Sequence, residues 1–167
     1  LSSQVAVGWK AGFGALLEGG IHFVALLSDI ADADPEQVRA EFPGLRPGAV
    51  ERHAVLDLVY PGGLQAQLTY AWDTPSLTKG TFQHSRIVCE NGQVVFESNG
   101  LYVLLRSGLR SRLYPPRLGD LMGYRAMTRD FVECLTDSSR SPYSDFHRAR
   151  RDLGIVFDAY SHLPVAV

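Results

Sequence analysis

The chain has 167 residues, of which 46% are hydrophobic and 20% charged, and its net charge at pH 7 is −2. These values are typical of one globular domain, and we predict a single α+β domain over residues 1–167. The small negative charge argues against nucleic acid or a membrane surface as a partner. Two cysteines are too few for a disulfide framework, so we expect reduced thiols and a cytoplasmic protein. No apolar run approaches a membrane span in length, and we expect no signal peptide.

The first predicted element is a helix over about 14–31, which contains the stretch "GALLEGGIHFVA". Apolar residues cover most of its circumference, and such a helix is buried rather than laid on a surface. Asp32, Asp34 and Pro35 are expected to end it.

The middle of the chain alternates apolar and polar residues, which predicts about six mostly antiparallel strands. Asn91-Gly92 suits a type I′ hairpin turn. The predicted strands and turns are 37–42, 53–60, a turn at 61–63, 64–72, the hairpin of "VCENGQVVFE", a turn at 99–100 and a strand at 101–105.

The last third returns to helical spacing, with one helix over about 119–136 and a final helix that has Ser144 as its N-cap. Helix, strands and two helices together predict an α+β fold. Its open, mostly antiparallel sheet of about six strands has helices packed on one face. The other face is expected to meet solvent, a substrate or a partner subunit. It would carry Gln65, Gln67, Thr69, His84 and Arg86.

Glu18 and His22 are candidate catalytic residues because four residues separate them on the first helix. That spacing puts both on one face, with Cβ atoms about 5–6 Å apart. A carboxylate can orient an imidazole, raise its pKa and prepare it for proton transfer near neutral pH. Gly19 and Gly20 would let a ligand or another backbone approach closely. The alternative is a buried hydrogen-bonded pair that serves only the structure.

Four further residues are candidates for substrate binding. Trp9 could stack on a ring and Lys10 could bind an anionic group, although a surface lysine beside a half-buried tryptophan explains them equally. His84 and Arg86 share a strand face and could contact a substrate hydroxyl or carboxylate; the alternative is an exposed polar sheet face. No cysteine and histidine spacing indicates a zinc site, and we expect no metal.

The order of these features resembles the Gfo/Idh/MocA oxidoreductases. "WK" followed by "GFGALLEGGIH" is similar to that family's W-R followed by G-G-G-x-L-x-D-x-G-x-H. "GGLQAQLTYAW", "GQVVFESNG", "GYRAMTRDFVECL" and "SPYSDFHRARRDLGIVFDAYSH" continue the resemblance in order over nearly the whole chain. In this register Trp9-Lys10 matches Trp-Arg, Glu18 matches the aspartate, Gly20 the glycine and His22 the histidine.

The resemblance implies the substrate-binding and dimerisation domain of an NAD- or NADP-dependent oxidoreductase that acts on a sugar, polyol or related carbonyl compound. The cofactor would be bound mainly by an N-terminal Rossmann domain that is absent from this chain. Together with the lysine of that domain's E-K-P motif, Glu18 and His22 would handle the proton that accompanies hydride transfer, and Gly20 could allow close approach of the cofactor. The open sheet would form a homodimer or a higher homo-oligomer.

Three departures from the family pattern keep a second hypothesis open. Glu18 replaces an aspartate, Lys10 replaces an arginine, and Ala25 stands where many members carry a second aspartate. Lysine does not reproduce the planar fork of arginine. The alternative is a non-catalytic domain that keeps the fold for dimerisation or for sensing a sugar-like ligand.

Overall fold

The computed structural model describes residues 12–73, 84–97, 100–116, 118–120 and 123–163. The chain divides into two compact units, one formed by residues 1–74 with 144–167 and the other by residues 75–143. The helices are a π-helical turn, Leu16–Gly20, called the π-turn below, followed by α1 (Ile21–Ala31), α2 (Tyr124–Thr136) and α3 (Phe146–Ser161). The strands are β1 (Gln37–Glu41), β2 (His53–Val59), β3 (Gln65–Ala71), β4 (His84–Cys89), β5 (Gly92–Glu97), β6 (Val103–Ser107) and β7 (Arg110–Tyr114).

The first unit packs the π-turn, α1 and α3 on one face of an antiparallel sheet with strand order β1-β2-β3. Alternate residues of the central strand β2 enter the core, because side chains along a strand point to opposite faces. The fully buried core positions include Leu16, Val24, Ala54, Leu56, Leu58, Tyr60, Val156 and Ala159. Burying one such leucine contributes about 1.5–3 kcal/mol, so this layer is the main source of stability for the unit.

The sequence predicted the local elements of the first unit closely. The helix ends at Ala31 because Asp32 adopts the left-handed conformation with φ 49°, which an aspartate tolerates better than most residues. The predicted N-cap Ser144 is wrong by one residue. Asp145 is the N-cap of α3, and its carboxylate accepts a hydrogen bond from the N–H of Arg148 at 2.8 Å.

The second unit contains an antiparallel meander with strand order β4-β5-β6-β7. The predicted type I′ turn at Asn91-Gly92 is wrong, because Cys89 pairs with Gly92 and the two-residue loop is Glu90-Asn91. Neither loop residue has the positive φ that a type I′ turn requires. Gly92 instead starts β5, where a Cβ would lie 2.2 Å from the carbonyl oxygen of Arg106.

The sequence missed strand β7 and placed β6 about two residues early. The β6–β7 hairpin turns at Gly108, which has φ 57°. The Ser-Gly dipeptide at 107–108 was an available turn signal. The predicted α+β class with antiparallel pairing is confirmed. The described strands number seven, however, and they pair in ladders of three and four rather than as one open sheet of about six.

Helix α2 begins five residues later than predicted. Gly123 has φ 73°, and the carboxylate of Asp120 accepts hydrogen bonds from the N–H groups of Arg125 and Ala126 at 2.9 and 2.8 Å. An acceptor before the helix satisfies donors that the first turn leaves unpaired. The helical spacing of Tyr124, Phe131 and Leu135 was correct, and all three side chains are exposed; Leu121 lies outside the described residues.

Candidate functional site

The helix that carries Glu18 and His22 starts against a buried glutamate, Glu51, which is 3% exposed. Its Oε1 accepts hydrogen bonds from the N–H groups of Gly14 and Leu16, each at 3.0 Å. Its backbone carbonyl accepts one from the N–H of Ala15, also at 3.0 Å. A helix leaves its first four N–H groups without intrahelical partners, and Glu51 satisfies three of them. Its negative charge also lies at the positive end of the helix dipole.

Tyr160 of α3 satisfies the fourth donor. Its Oη accepts a hydrogen bond from the N–H of Leu17 at 3.2 Å and donates one to Oε1 of Glu51 at 2.7 Å. Burial raises the pKa of the Tyr160 phenol above its ordinary range, and the hydrogen bond to the Glu51 carboxylate raises it further. The phenol therefore stays protonated at neutral pH and remains a donor.

The structure places Glu18 in the π-turn and His22 at the second residue of α1, and both side chains are exposed. Within the described residues, no hydrogen bond or ion pair joins the two side chains. The π-turn closes with a hydrogen bond from the N–H of Ile21 to the carbonyl of Leu16, five residues back. Such turns are frequent at functional sites. A carboxylate and an imidazole presented to solvent from one helix can exchange protons with a bound molecule.

Tyr70 of β3 lies directly against this helix and was not identified from the sequence. A Cβ on Gly19 would lie 2.0 Å from the Tyr70 hydroxyl. The ring also lies 5.7 Å from that of Phe23. Burial raises the pKa of Tyr70, and the Glu18 carboxylate raises it further. Gly19 therefore makes room for a tyrosine from the sheet.

Gly20, the position at which close approach of a cofactor was considered, is buried. A Cβ there would lie 2.9 Å from Cδ1 of Leu16 and 3.6 Å from the Tyr70 ring. The space that this glycine opens is thus filled by side chains of the protein itself.

Four candidates for substrate binding remain. Trp9 and Lys10 are outside the described residues. His84 and Arg86 are exposed on one face of the second unit's sheet, two residues apart on β4, and the His84 ring lies 5.8 Å from that of Tyr102. The structure therefore brings together Glu18 and His22 in the first unit, and His84 and Arg86 in the second.

A second histidine contact lies at the end of the β2–β3 ladder, where Nε2 of His53 bonds Oδ1 of Asp73. This hydrogen bond holds the pKa of the Asp73 carboxyl below its ordinary value of 3.8. Because the folded-state pKa is lowered, the contact stabilises the fold above the ordinary pKa. Its contribution is lost as the pH falls through the lower folded-state value.

We expect His53→Ala to return the pKa of Asp73 towards 3.8, because the donor that favours the carboxylate is removed. A carbon-13 NMR titration of the Asp73 carboxyl measures this directly. His147→Ala, which removes an exposed histidine of α3, is the matched control and should leave the titration unchanged. An unaltered Asp73 pKa in His53→Ala would contradict the assignment.

The described residues show neither a metal-binding cluster nor a membrane-spanning helix. No group of three or more histidine, cysteine, aspartate or glutamate side chains is arranged to hold a metal ion in that part of the chain. Among the same residues, no helix combines the length and the apolar character needed to cross a membrane.

Comparison with solved structures shows the same fold in three enzymes. A UDP-N-acetylglucosamine 3-dehydrogenase from Acidithiobacillus ferrooxidans is 18% identical with a TM-score of 0.72, over 92% of this chain and 47% of that one. An aldose-aldose oxidoreductase from Caulobacter crescentus in complex with glycerol is 20% identical with a TM-score of 0.76, over 92% and 47%. A mutant 3-ketoreductase from Actinomadura kijaniata in complex with TDP-benzene and NADP is 18% identical with a TM-score of 0.68, over 90% and 48%.

This chain spans about half the length of these solved relatives. A comparison with curated proteins gave no match. The family model described as the GFO/IDH/MocA C-terminal domain matches residues 3–95, which is more than half of the chain and includes the π-turn, α1 and the first unit's sheet. The chain therefore belongs to the Gfo/Idh/MocA oxidoreductase family, of which it represents the C-terminal domain.

Proposed function

We propose that this chain is the substrate-binding domain of an NAD- or NADP-dependent oxidoreductase that acts on a sugar, polyol or related carbonyl compound. The observation that carries the proposal is the exposed pair Glu18 and His22 on a helix whose start is held by buried hydrogen bonds. The names of the structural relatives, a nucleotide-sugar dehydrogenase, an aldose oxidoreductase and a ketoreductase, agree with this substrate class.

In the proposed reaction His22 handles the proton of the substrate hydroxyl. Oxidation of a secondary alcohol to a carbonyl releases a hydride and a proton, and the imidazole takes the proton at a ring nitrogen. The Glu18 carboxylate stabilises the imidazolium that forms, since an opposite charge nearby favours the charged form. NAD or NADP, held mainly by an N-terminal Rossmann domain of the complete protein, supplies the hydride acceptor. Trp9 and Lys10 are proposed to bind and orient this substrate. His84 and Arg86, on β4 of the second unit, are a separate proposal for contact with a substrate hydroxyl or carboxylate.

Activity of the full-length protein tests the proposal. The protein is incubated separately with NAD⁺ and NADP⁺ and with panels of UDP-sugars, free aldoses and polyols. Formation of the reduced cofactor is followed by its absorbance. Turnover of any of these substrates supports the oxidoreductase function. Absence of turnover across all three panels, with both cofactors bound, would overturn it.

The second candidate function is a non-catalytic, sugar-sensing or dimerisation domain. Its specific support is that Glu18 and His22 form no hydrogen bond with each other, together with Ala25 in place of the family's second aspartate. Calorimetry distinguishes the two functions. A sugar that binds the full-length protein but is never oxidised favours sensing, whereas cofactor reduction by that sugar excludes it.

We also propose that the second unit's sheet forms a homodimer interface. Val88 is 75% exposed and Leu113 is 62% exposed. Register places both on the same face as Arg86, because residues two apart on a strand share a face. Exposed apolar side chains on one sheet face are typical of a surface that meets a partner.

Leu113→Glu should weaken this dimer at least about tenfold in Kd, because a carboxylate would be buried without a partner. Sedimentation velocity over a concentration series measures the change. Leu109→Glu is the matched control: Leu109 is fully exposed in the β6–β7 turn, and its replacement should leave the dimer intact. A wild-type protein that is monomeric throughout the concentration series would contradict the proposed dimer.

A further inference from the structure

We propose that Glu51 and Tyr160 are positioning residues for Glu18 and His22: they determine where the helix begins and therefore which way its two functional side chains face. The catalytic consequence of this inference depends on the proposed oxidoreductase function. The structural consequence does not.

The helix that carries Glu18 and His22 has no side-chain cap of its own. Its N-terminal residues are apolar or glycine, and no side chain of the helix itself bonds the first turn. The N–H groups of Gly14, Ala15 and Leu16 are satisfied by Glu51, and that of Leu17 by Tyr160. These partners lie 35 or more residues away along the chain.

These four N–H groups come directly before Glu18 in the chain. The N–H of Glu18 is the first to find a partner within the helix, the carbonyl of Gly14 at 3.0 Å. Gly14 and Leu16 are fully buried, so a lost acceptor leaves a donor without water. The acceptors on Glu51 and Tyr160 therefore match the helix start that places Glu18 as the first residue bonded within the helix.

The π-turn closes its hydrogen bond over five residues rather than the four of an α-helix, and it lies between the anchored start and His22. If the helix start moved by one residue along the chain, Glu18 and His22 would turn together by about 100° about the helix axis. That rotation would change the direction in which both side chains leave the helix. A negative charge at the helix start opposes this change by holding the first N–H groups in place.

Glu51→Ala tests the inference in the full-length protein by two readouts that need no substrate. The amide hydrogen exchange of Leu16 should speed up about 10- to 100-fold, as expected for loss of a hydrogen bond to a charged group. The ring resonances of His22 in ¹H–¹³C NMR spectra should shift. Glu51→Gln keeps an oxygen acceptor at the same position and should recover most of both readouts.

Leu56→Ala is the control for general loss of stability. It removes a buried side chain of β2 that makes no hydrogen bond to the helix start. When the two variants are compared at the same fraction of folded protein, Leu56→Ala should leave the His22 resonances unchanged. It should also leave the hydrogen-exchange protection of the Leu16 amide, relative to the other amides of the core, unchanged. If Glu51→Ala behaves like Leu56→Ala, the positioning role is wrong.

Tyr160→Phe keeps the test valid should Glu51→Ala fail to fold. It removes only the hydroxyl that bonds Glu51 and Leu17, and faster exchange of the Leu17 amide is expected. Tyr60→Phe, which removes another buried hydroxyl from the same core, is its matched control and should leave that amide unaffected. Equal exchange in the two variants would contradict the role of Tyr160.

Activity then separates this inference from the proposed function. Displacement of acid/base groups by about 1 Å can cost about 10²-fold, so Glu51→Ala should lower kcat by that order while KM changes less. If the amide and His22 readouts respond but wild-type protein oxidises no sugar, the positioning stands and the oxidoreductase function is what fails. Full wild-type kcat in a Glu51→Ala protein with shifted His22 resonances would overturn the catalytic part of the inference.

Discussion

His22→Ala in the full-length protein lowers kcat by about 10²–10⁴, the usual contribution of a positioned acid/base group. The structure gives the reason. His22 is exposed on a helix whose start is held in place by buried hydrogen bonds. The helix therefore holds the imidazole in one position, where it can contact a bound molecule. Steady-state kinetics with the best substrate from the sugar panels measure the effect.

His147→Ala is the matched control, because His147 is an exposed helical histidine to which no function is assigned. It should leave kcat within twofold or so of wild type, as surface substitutions away from a site usually do. Glu18→Gln should lower kcat less than His22→Ala does, since the carboxylate supports the imidazole without taking the proton. A loss below tenfold in His22→Ala would show that the histidine is structural.

The sequence predicted what is decided locally. The alternation in 53–60 and 64–72 identified β2 and β3 within one residue at each end, because a half-buried strand must alternate. The four-residue spacing of Glu18 and His22 is likewise a local signal, and it predicted that both residues lie on one helix. The failures at Ser144 and Asn91-Gly92 were also local, and each was a shift by one residue in the choice of cap or turn.

Strand β7 was missed because "RSRLY" is exposed along its whole length and so shows no alternation between apolar and polar residues. Tertiary pairing with β6, rather than burial, makes it a strand. A pattern of hydrophobicity cannot report a strand that is stabilised only by its ladder of hydrogen bonds.

Glu51 and Tyr160 were missed for a different reason. Nothing near either residue in sequence shows that the two meet at the start of a helix. One signal was available: the helix at 14–31 has no Ser, Thr, Asp or Asn at its start, and buried N–H groups must find acceptors somewhere. That signal predicts a distant acceptor but not its identity.

Gly14→Ala should destabilise the protein by about 3 kcal/mol or more, through overpacking and loss of hydrogen bonds at the helix start. A Cβ on Gly14 would lie 1.9 Å from the backbone carbonyl oxygen of Glu51 and 2.8 Å from its Oε2. The carbonyl belongs to the main chain just before β2 and cannot swing aside as a side chain would. Urea unfolding of the variant measures the loss.

Gly154→Ala is the matched substitution with the opposite expected sign. Gly154 lies inside α3, and a Cβ there would meet nothing within 4 Å. Alanine in a helix interior should therefore stabilise the protein by about 0.5–1 kcal/mol.

If Gly14→Ala unfolds at the same urea concentration as wild type, the close approach of Glu51 is wrong. A loss in Gly14→Ala beside a gain in Gly154→Ala would show that Gly14 is a glycine because Glu51 lies against it. Gly14 would then serve to anchor the start of the helix that carries Glu18 and His22.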